Sequence, residues 1–252
     1  MTTVLYESRS PIGWITLNRP EVLNAINPDM LHGLLKTLKH VGADPAIRVL
    51  VLTGNGRAFS AGGDIKAMHG MDEKTFQETI HLYMQLSQAM RDLDKPVIAA
   101  INGYALAGGF ELMLLCDIRI AVASAKFGLP DTIIGLSPTS GMTWLLPRIV
   151  GLGHAMHMTL EGTMFDARKA ERTGLVTDVV ADGALRETVE KLAKAIASYP
   201  EVGVTNTKRG FYAALESTSS SAMEAEEKRE LECFQSEETR KAFATFLARK
   251  KK

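Results

Sequence analysis

Apolar runs and helical periodicities alternate along the first 180 residues of the chain. Runs of β-branched and other apolar residues, bounded by turn residues, predict short strands at residues 4–8, 12–17, 48–54, 97–101, 117–123 and 174–180. Apolar residues at helical spacing predict a helix from Pro28, capped by Asn27, and a second over residues 72–93. A shorter helix is expected at 166–173, capped by Asp166. Because strands and helices alternate, the pattern indicates an α/β fold.

Beyond residue 180 the pattern predicts helices alone. They are expected at residues 183–198, 201–215, 219–234 and 237–250, with Ser236 as the cap of the last. We identify few long-range apolar contacts within this part of the chain. We therefore expect it to pack on another surface, such as another subunit.

Residues 97–117 are the stretch around which the rest of the chain is organised. A buried strand meets a turn at Asn102-Gly103, and a glycine pair then leads into an apolar helix. Gly108 lies where the chain enters this helix, and first-turn amides have no intrahelical acceptor. A second loop, Ser60-Ala-Gly-Gly63, also follows an apolar strand and ends in glycines. Two such amides pointing at one site would stabilise an oxyanion, although glycines taken alone favour plain tight turns.

Glu111 is the sharper chemical signal. It is the one carboxylate in a helix that is otherwise apolar on all sides, Phe110–Cys116. A carboxylate buried there must be paired, protonated or functional, and the residues leave a structural salt bridge open as well as a catalytic role. Asp131 is a weaker signal, because Pro-Asp is a common turn pair. Asp117, at the end of the helix, is expected to bond backbone amides.

Composition and charge exclude several classes of function. Lys plus Arg number 29, as do Asp plus Glu, so no overall field favours nucleic acid or a membrane surface. Cys116 and Cys233 lack metal-ligand spacing, and the His154/His157 pair has no third ligand nearby, so we expect no metal site. Neither a signal peptide nor a membrane span is visible, and reduced cysteines suit the cytoplasm. The basic end, residues 249–252, is expected to be solvated.

Five motifs taken together resemble the enoyl-CoA hydratase/isomerase (crotonase) family. They are Leu17-Asn-Arg-Pro-Glu-Val-Leu-Asn-Ala-Ile26, Phe59-Ser-Ala-Gly-Gly-Asp-Ile65, Asn102-Gly-Tyr-Ala-Leu-Ala-Gly-Gly-Phe-Glu-Leu112, Cys116-Asp-Ile118 and Phe127-Gly-Leu-Pro-Asp131. The resemblance covers nearly the whole chain. It implies a crotonase-type spiral of repeated ββα units over residues 1–195, which carries the coenzyme A and catalytic sites. Residues 196–252 would be a C-terminal helical trimerisation region, in a homotrimer or in a homohexamer built from two trimers.

The resemblance also implies roles for individual residues. The amides of Gly63 and Gly108 would hold the thioester oxygen, and Glu111 and Asp131 would be the two catalytic carboxylates. In the hydratases these carboxylates hold one water, which attacks C3 of the enoyl thioester, and a proton is delivered to C2. Coenzyme A would pass along backbone positions Leu23, Ala25, Ala61, Asp64 and Ile65, with Lys66 and Arg57 as phosphate partners. No cofactor beyond the coenzyme A moiety of the substrate is expected.

The sequence departs from the hydratase pattern at Asp131, where the family carries glutamate. Aspartate is one methylene shorter, and a displacement of about 1.5 Å is enough to cost two orders of magnitude in rate. Thr139 and Ser140 occupy a segment in which some isomerases place their acid, and neither side chain can serve as one. The resemblance therefore favours a hydratase. It leaves open an isomerase that uses one carboxylate, a decarboxylase, a thioester hydrolase and a non-catalytic acyl-CoA-binding protein.

Overall fold

The structure, a computed structural model that describes residues 2–249, contains two β-sheets whose strands are numbered β1–β10 in chain order. The larger sheet has six strands, in the order β1 (Val4–Arg9), β2 (Ile12–Leu17), β3 (Val49–Gly54), β5 (Val97–Ile101), β7 (Ile118–Val122) and β10 (Asp178–Val180). The smaller sheet has four strands, in the order β4 (Ala58–Ser60), β6 (Tyr104–Leu106), β8 (Lys126–Gly128) and β9 (Phe165–Asp166).

The connection between the sheets repeats along the chain. Each of the pairs β3/β4, β5/β6 and β7/β8 places its first strand in the larger sheet and its second in the smaller one. Neighbouring units pair in parallel in both sheets, as in β3 with β5 and β4 with β6. Helical segments follow each pair before the next unit begins. This arrangement is the predicted spiral of ββα units, and the predicted fold class is confirmed.

Eleven helices lie within the described residues. They are α1 (Pro28–Ala43), α2 (Ile65–His69), α3 (Glu73–Asp92), α4 (Gly108–Leu114), α5 (Met142–Val150), α6 (Leu152–Glu161), α7 (Ala167–Arg172), α8 (Leu185–Ala197), α9 (Glu201–Ala214), α10 (Ser219–Gln235) and α11 (Glu237–Arg249). The predicted caps are confirmed: Asn27 accepts a hydrogen bond from the Met30 amide, and Asp166 accepts one from Lys169. None of these helices has the length and apolarity needed to cross a bilayer.

The core lies on both faces of the larger sheet and reaches the smaller one. Every residue of β5 and of α4 is buried, which explains why both read as almost uninterrupted apolar runs. Phe59, Phe110 and Phe127 are fully buried between the smaller sheet and α4. Cys116, just beyond the other end of α4, is also buried, as expected for a small apolar residue.

Three features of the fold differ from the sequence-based expectations. The strand predicted at 174–180 is confined to β10, because Gly174 turns the chain with φ +76°. The strands of the smaller sheet, two or three residues each, are too short to show a two-residue period. Helices α5 and α6 do not follow from the sequence pattern, since Pro147 interrupts the apolar pattern of one and Gly151 and Gly162 flank the other.

The C-terminal helices are present where predicted, and α9 packs directly on the core. The Asp117 carboxylate accepts hydrogen bonds from the Val97 amide at 2.7 Å, Lys208 Nζ at 2.9 Å and the Tyr212 hydroxyl at 2.9 Å. Asp117 is thus structural, as expected. No residue of α10 is buried, and large apolar side chains on α9–α11 are exposed. The division at residue 195 stays a prediction, and residues 250–252 lie outside the described part of the chain.

Candidate active site

The chain enters α4 through a constrained backbone. Strand β6 is held between β4 and β8, and the Ala107 amide donates to the Gly128 carbonyl at 2.9 Å. The backbone then turns sharply at Ala107, which adopts φ 46° and ψ −125°. A non-glycine residue with such angles costs about 1–3 kcal/mol, a strain that is found mainly where function requires it. Gly108, as predicted, is the first residue of the helix.

The glycines of the two loops are required by close backbone contact. A Cβ placed on Gly109 would lie 2.3 Å from the Ser60 carbonyl oxygen, and one placed on Gly62 would lie 2.6 Å from the Ala107 Cβ. Neither contact is sterically allowed. The absence of side chains at these positions is therefore what brings the loop after β4 against the start of α4.

The amides of Gly63 and Gly108 lie on neighbouring surfaces of these loops. A Cβ placed on Gly108 would lie 3.5 Å from the Gly63 nitrogen. In the bridge between Ile26 and Gly63, the Ile26 amide donates to the Gly62 carbonyl and the Asp64 amide donates to the Ile26 carbonyl. The Gly63 amide thus points away from Ile26. The Gly108 amide, in the first turn of α4, has no intrahelical acceptor. Both donors are available to an anionic oxygen.

Glu111 is 3% exposed and is held by three hydrogen-bond donors. Its Oε1 accepts from the Thr139 amide at 2.6 Å, and its Oε2 accepts from the Thr139 hydroxyl at 2.8 Å and the Ser140 hydroxyl at 2.9 Å. Burial raises the pKa of Glu111, these three bonds oppose the rise, and the charge of Asp131 adds to it. No cation pairs with Glu111 within residues 2–249, so the structural salt bridge considered above is not found.

Asp131 is placed by a short 3-10 helix, Pro130–Ile134, that follows β8. Its Oδ2 atom is buried and makes no hydrogen bond to any described residue. Burial raises the pKa of this carboxyl group. The charge of Asp131 in turn contributes to the raised pKa of Glu111. An unpaired buried carboxylate oxygen is costly unless a ligand or water completes it.

The residues that the resemblance assigns to coenzyme A divide into two groups. The first group is Leu23, Ala25, Ala61 and Asp64, which lie on two paired backbone segments. The Ala61 amide donates to the Leu23 carbonyl, and the segment from Ala25 runs beside the one from Ala61 to Asp64. Leu23 and Asn24 take left-handed φ values of 55° and 56°. The buried Asn24 side chain stabilises this turn with bonds to the Asn55 and Ala58 carbonyls.

The remaining three residues are not held in this way. Ile65 is 59% exposed, and Lys66 and Arg57 are exposed as well. The Asp64 side chain caps α2 and pairs with Arg19 Nη1 at 2.9 Å. Partial burial acts to raise the pKa of Asp64, but the Ala67 amide and Arg19 lower it overall. Its carboxylate is therefore committed to the protein, and its backbone amide and carbonyl are bonded to Ile26 and Met68.

Three residues complete the site without being indicated by the sequence: Tyr83, Thr139 and Ser140. Thr139 and Ser140 cannot serve as acids but hold Glu111 as donors, and the sequence pattern places Tyr83 only on the apolar face of its helix. Hydroxyl residues directly before Gly141 are a signal of a turn, because Ser and Thr bond nearby backbone groups, and they do not indicate a contact with Glu111. Within residues 2–249 no cluster of three acidic, His or Cys side chains can hold a metal ion.

Comparison with known proteins gives consistent results. The family model described as "Enoyl-CoA hydratase/isomerase" matches residues 7–252. A probable enoyl-CoA hydratase of Rhizobium meliloti is 38% identical, covering 99% of this chain and 96% of that protein. The 1,2-epoxyphenylacetyl-CoA isomerase of Escherichia coli is 35% identical, with coverages of 99% and 97%. The crystal structure of an enoyl-CoA hydratase from Bacillus anthracis superposes with a TM-score of 0.95 at 30% identity, with coverages of 98% and 96%.

These matches extend over both the ββα spiral and the C-terminal helices, and they agree with the five motifs. The chain belongs to the enoyl-CoA hydratase/isomerase family.

Proposed function

We propose that this enzyme adds water to a 2-enoyl-CoA thioester and forms the 3-hydroxyacyl-CoA. The observation that carries the proposal is the combination of the buried Glu111 carboxyl group, the half-buried Asp131 with one buried oxygen, and the two available amides of Gly63 and Gly108. Glu111 is already held by three donors, whereas Asp131 Oδ2 has no partner among the described residues. Such a site fits an electrophilic thioester together with one water molecule.

The amides of Gly63 and Gly108 would bind the thioester oxygen. When water attacks C3, the electron pair of the C2–C3 double bond moves onto this oxygen and an enolate forms. Fixed donors in a site without bulk water stabilise such a charge, and one oxyanion-hole donor is worth about 3–4 kcal/mol in known enzymes. The strained Ala107 backbone supports this role, since it holds the Gly108 amide at the helix start.

The hydrogen-bonding capacity of Glu111 limits what it can do. A carboxylate offers about four lone-pair sites, and three of those of Glu111 are occupied, two of them on Oε2. One site on Oε1 remains, which suits an O–H bond of the attacking water. We therefore propose that Glu111, in its ionised form, orients this water.

Asp131 would carry the proton. Its free Oδ2 accepts a proton from the water as the C3–O bond forms, and then delivers that proton to C2 as the enolate collapses. The water is thus divided between C3 and C2, and both carboxyl groups return to their starting states. A raised pKa suits a group that must both accept and donate a proton.

The coenzyme A part would lie along the paired backbone segments of Leu23, Ala25, Ala61 and Asp64, and continue past Ile65. Lys66 and Arg57 are exposed cations within the same region of the chain and suit its phosphates. The expected location is the cytoplasm. The exposed apolar side chains of α9–α11 support the further proposal of a homotrimer, alone or paired as a homohexamer.

Hydration is tested by the loss of the ultraviolet absorbance of the conjugated thioester in crotonyl-CoA and in longer and aromatic enoyl-CoA compounds. Wild-type enzyme should remove this absorbance from at least one of the compounds. The kcat of Glu111→Gln and that of Asp131→Asn should each fall by about two orders of magnitude or more. Lys126→Ala, at an exposed lysine of β8, is the matched surface control. A wild-type enzyme that leaves every absorbance unchanged would refute the proposal.

The second candidate is an enoyl-CoA isomerase, and the observation that favours it is that three lone-pair sites of Glu111 are occupied. With Glu111 mostly committed to Thr139 and Ser140, Asp131 alone would move a proton between C2 and C4. The two reactions respond differently to substitution: hydration needs both carboxyl groups, whereas isomerisation would survive Glu111→Gln. Product analysis of that variant separates them.

A further inference from the structure

The Tyr83 hydroxyl lies beside two glycines, Gly63 and Gly108. A Cβ placed on Gly108 would lie 3.1 Å from this oxygen, and one placed on Gly63 would lie 3.7 Å from it. The Gly63 nitrogen is 3.5 Å from the same point above Gly108. One polar oxygen from α3 therefore adjoins both loops whose amides are available.

Helix α3 is fixed against the site by a second residue of the same face. Ser87, one turn beyond Tyr83, donates a hydrogen bond to the Ser140 carbonyl at 2.9 Å. Ser140 in turn donates to Glu111. Residues at i and i+4 lie on one side of a helix, so this contact sets the position of the Tyr83 ring as well.

The surroundings of the hydroxyl make it a donor. Burial raises the pKa of Tyr83, and the charges of Glu111 and Asp131 raise it further, so the proton stays on the oxygen at any working pH. The ring packs against the core, yet the hydroxyl makes no hydrogen bond to the residues that the structure describes. The oxygen is not among the fully buried polar atoms, so it is open to the space beside Gly63 and Gly108, where a substrate would supply a partner.

We propose that Tyr83 is a further catalytic residue, whose hydroxyl donates a hydrogen bond to the acyl-thioester oxygen beside the amides of Gly63 and Gly108. The inference rests on the proposed function only in requiring an acyl-CoA substrate. It does not depend on whether water is added or a double bond is moved, because both reactions place negative charge on this oxygen.

The test uses Tyr83→Phe, which removes one oxygen atom, and Tyr199→Phe as the control, because Tyr199 lies on the surface at 56% exposure. Butyryl-CoA labelled with carbon-13 at the carbonyl is the probe, since it lacks a reactive double bond. Infrared difference spectra should show a lowered carbonyl stretching frequency on binding to wild type and to Tyr199→Phe, and a smaller lowering in Tyr83→Phe. With an enoyl-CoA substrate, kcat of Tyr83→Phe should fall about 100-fold with little change in KM.

The two readouts separate failure of this inference from failure of the proposed function. A carbonyl shift in Tyr83→Phe equal to that of wild type overturns the inference whatever the kinetics, as does the absence of any shift in wild type. A smaller shift with an unchanged kcat overturns the catalytic assignment. If no enoyl-CoA compound is hydrated, the proposed function fails, and the carbonyl shift still decides whether Tyr83 contacts the thioester.

Discussion

At the scale of single residues, the carboxyl groups of Glu111 and Asp131 differ in their hydrogen bonding. Three donors hold Glu111 and stabilise its ionised form, while Asp131 keeps one buried oxygen without a partner among the described residues. Burial raises the pKa of both groups. On this contrast we base the proposal that Glu111 orients the water and Asp131 exchanges the proton.

The support that Thr139 gives to Glu111 predicts a shifted pH profile. Thr139→Ala removes the hydroxyl donor to Oε2, which stabilises the ionised form, so the pKa of Glu111 rises further. A lost bond of this kind corresponds to about one pH unit. The acid limb of kcat/KM should therefore move to higher pH by that amount, whereas Thr139→Ser should retain the wild-type profile. Equal profiles in all three proteins would remove Thr139 from this role.

The unpartnered oxygen of Asp131 predicts a gain in stability when it is replaced. The pKa of Asp131 lies above its ordinary value of 3.8 in the folded state, so the folded protein binds more protons than the unfolded chain just above that pH. Wild-type stability consequently falls as the pH rises through this window. Asp131→Asn avoids the buried charge and should be more stable by about 1 kcal/mol at pH 7, at the cost of activity.

Urea unfolding at several pH values checks this prediction. The difference in unfolding free energy between Asp131→Asn and wild type should shrink towards zero as the pH is lowered and the Asp131 carboxyl group becomes protonated, because both side chains are then neutral. A variant that is less stable than wild type at neutral pH would show that the Asp131 charge is well solvated or paired in the folded protein.

At the scale of secondary structure elements, the site depends on backbone contact between the β4 loop and α4. Gly109 is the clearest case, because a Cβ there would meet the Ser60 carbonyl at 2.3 Å. Both partners belong to the backbone of buried elements, so neither can move aside cheaply. The two amides that we propose as oxyanion donors are therefore built into the packing of the smaller sheet.

Gly109→Ala should lower the free energy of unfolding by about 3 kcal/mol or more, as overpacking in a core does at its upper range. Gly153→Ala is the matched control, since nothing lies within 4 Å of a Cβ at that helical position. It should be neutral or more stable by about 0.5–1 kcal/mol. Chemical denaturation of both variants measures the difference, and similar stabilities would contradict the close contact with Ser60 as the reason for glycine.

The sequence predicts those elements and residues whose evidence is local. Strands of five or six residues, the capped helices and the lone acid Glu111 can each be recognised within one stretch of chain. The strands of the smaller sheet cannot, because two or three residues carry no period. Tyr83, Thr139 and Ser140 join the site through contacts with elements that are distant in the sequence, and only the fold brings them together.

At the scale of the whole molecule, the C-terminal helices combine a firm attachment with an uncovered apolar surface. Lys208 and Tyr212 fix α9 to Asp117 in the core, whereas Phe211, Phe234 and Phe243 are more than half exposed. Surface of this kind on a well-packed chain is typical of subunit contacts.

We expect the protein in solution to have three or six times the mass of one 27.5 kDa chain. Light scattering coupled to size-exclusion chromatography measures this mass directly. Phe243→Asp should shift the protein towards smaller species, because it places a charge in the proposed contact. A wild-type monomer at micromolar concentration would contradict the proposed assembly while leaving the catalytic proposal intact.

The central claim is that the two carboxyl groups divide one water between C3 and C2 of an enoyl-CoA thioester. The most direct test is mass spectrometry of the products formed from an enoyl-CoA panel in water labelled with oxygen-18. The account predicts a product that has gained one water, with the heavy oxygen on C3 and the thioester intact, and its loss in both Glu111→Gln and Asp131→Asn. A product of unchanged mass, or a free acid that carries the label, would contradict it.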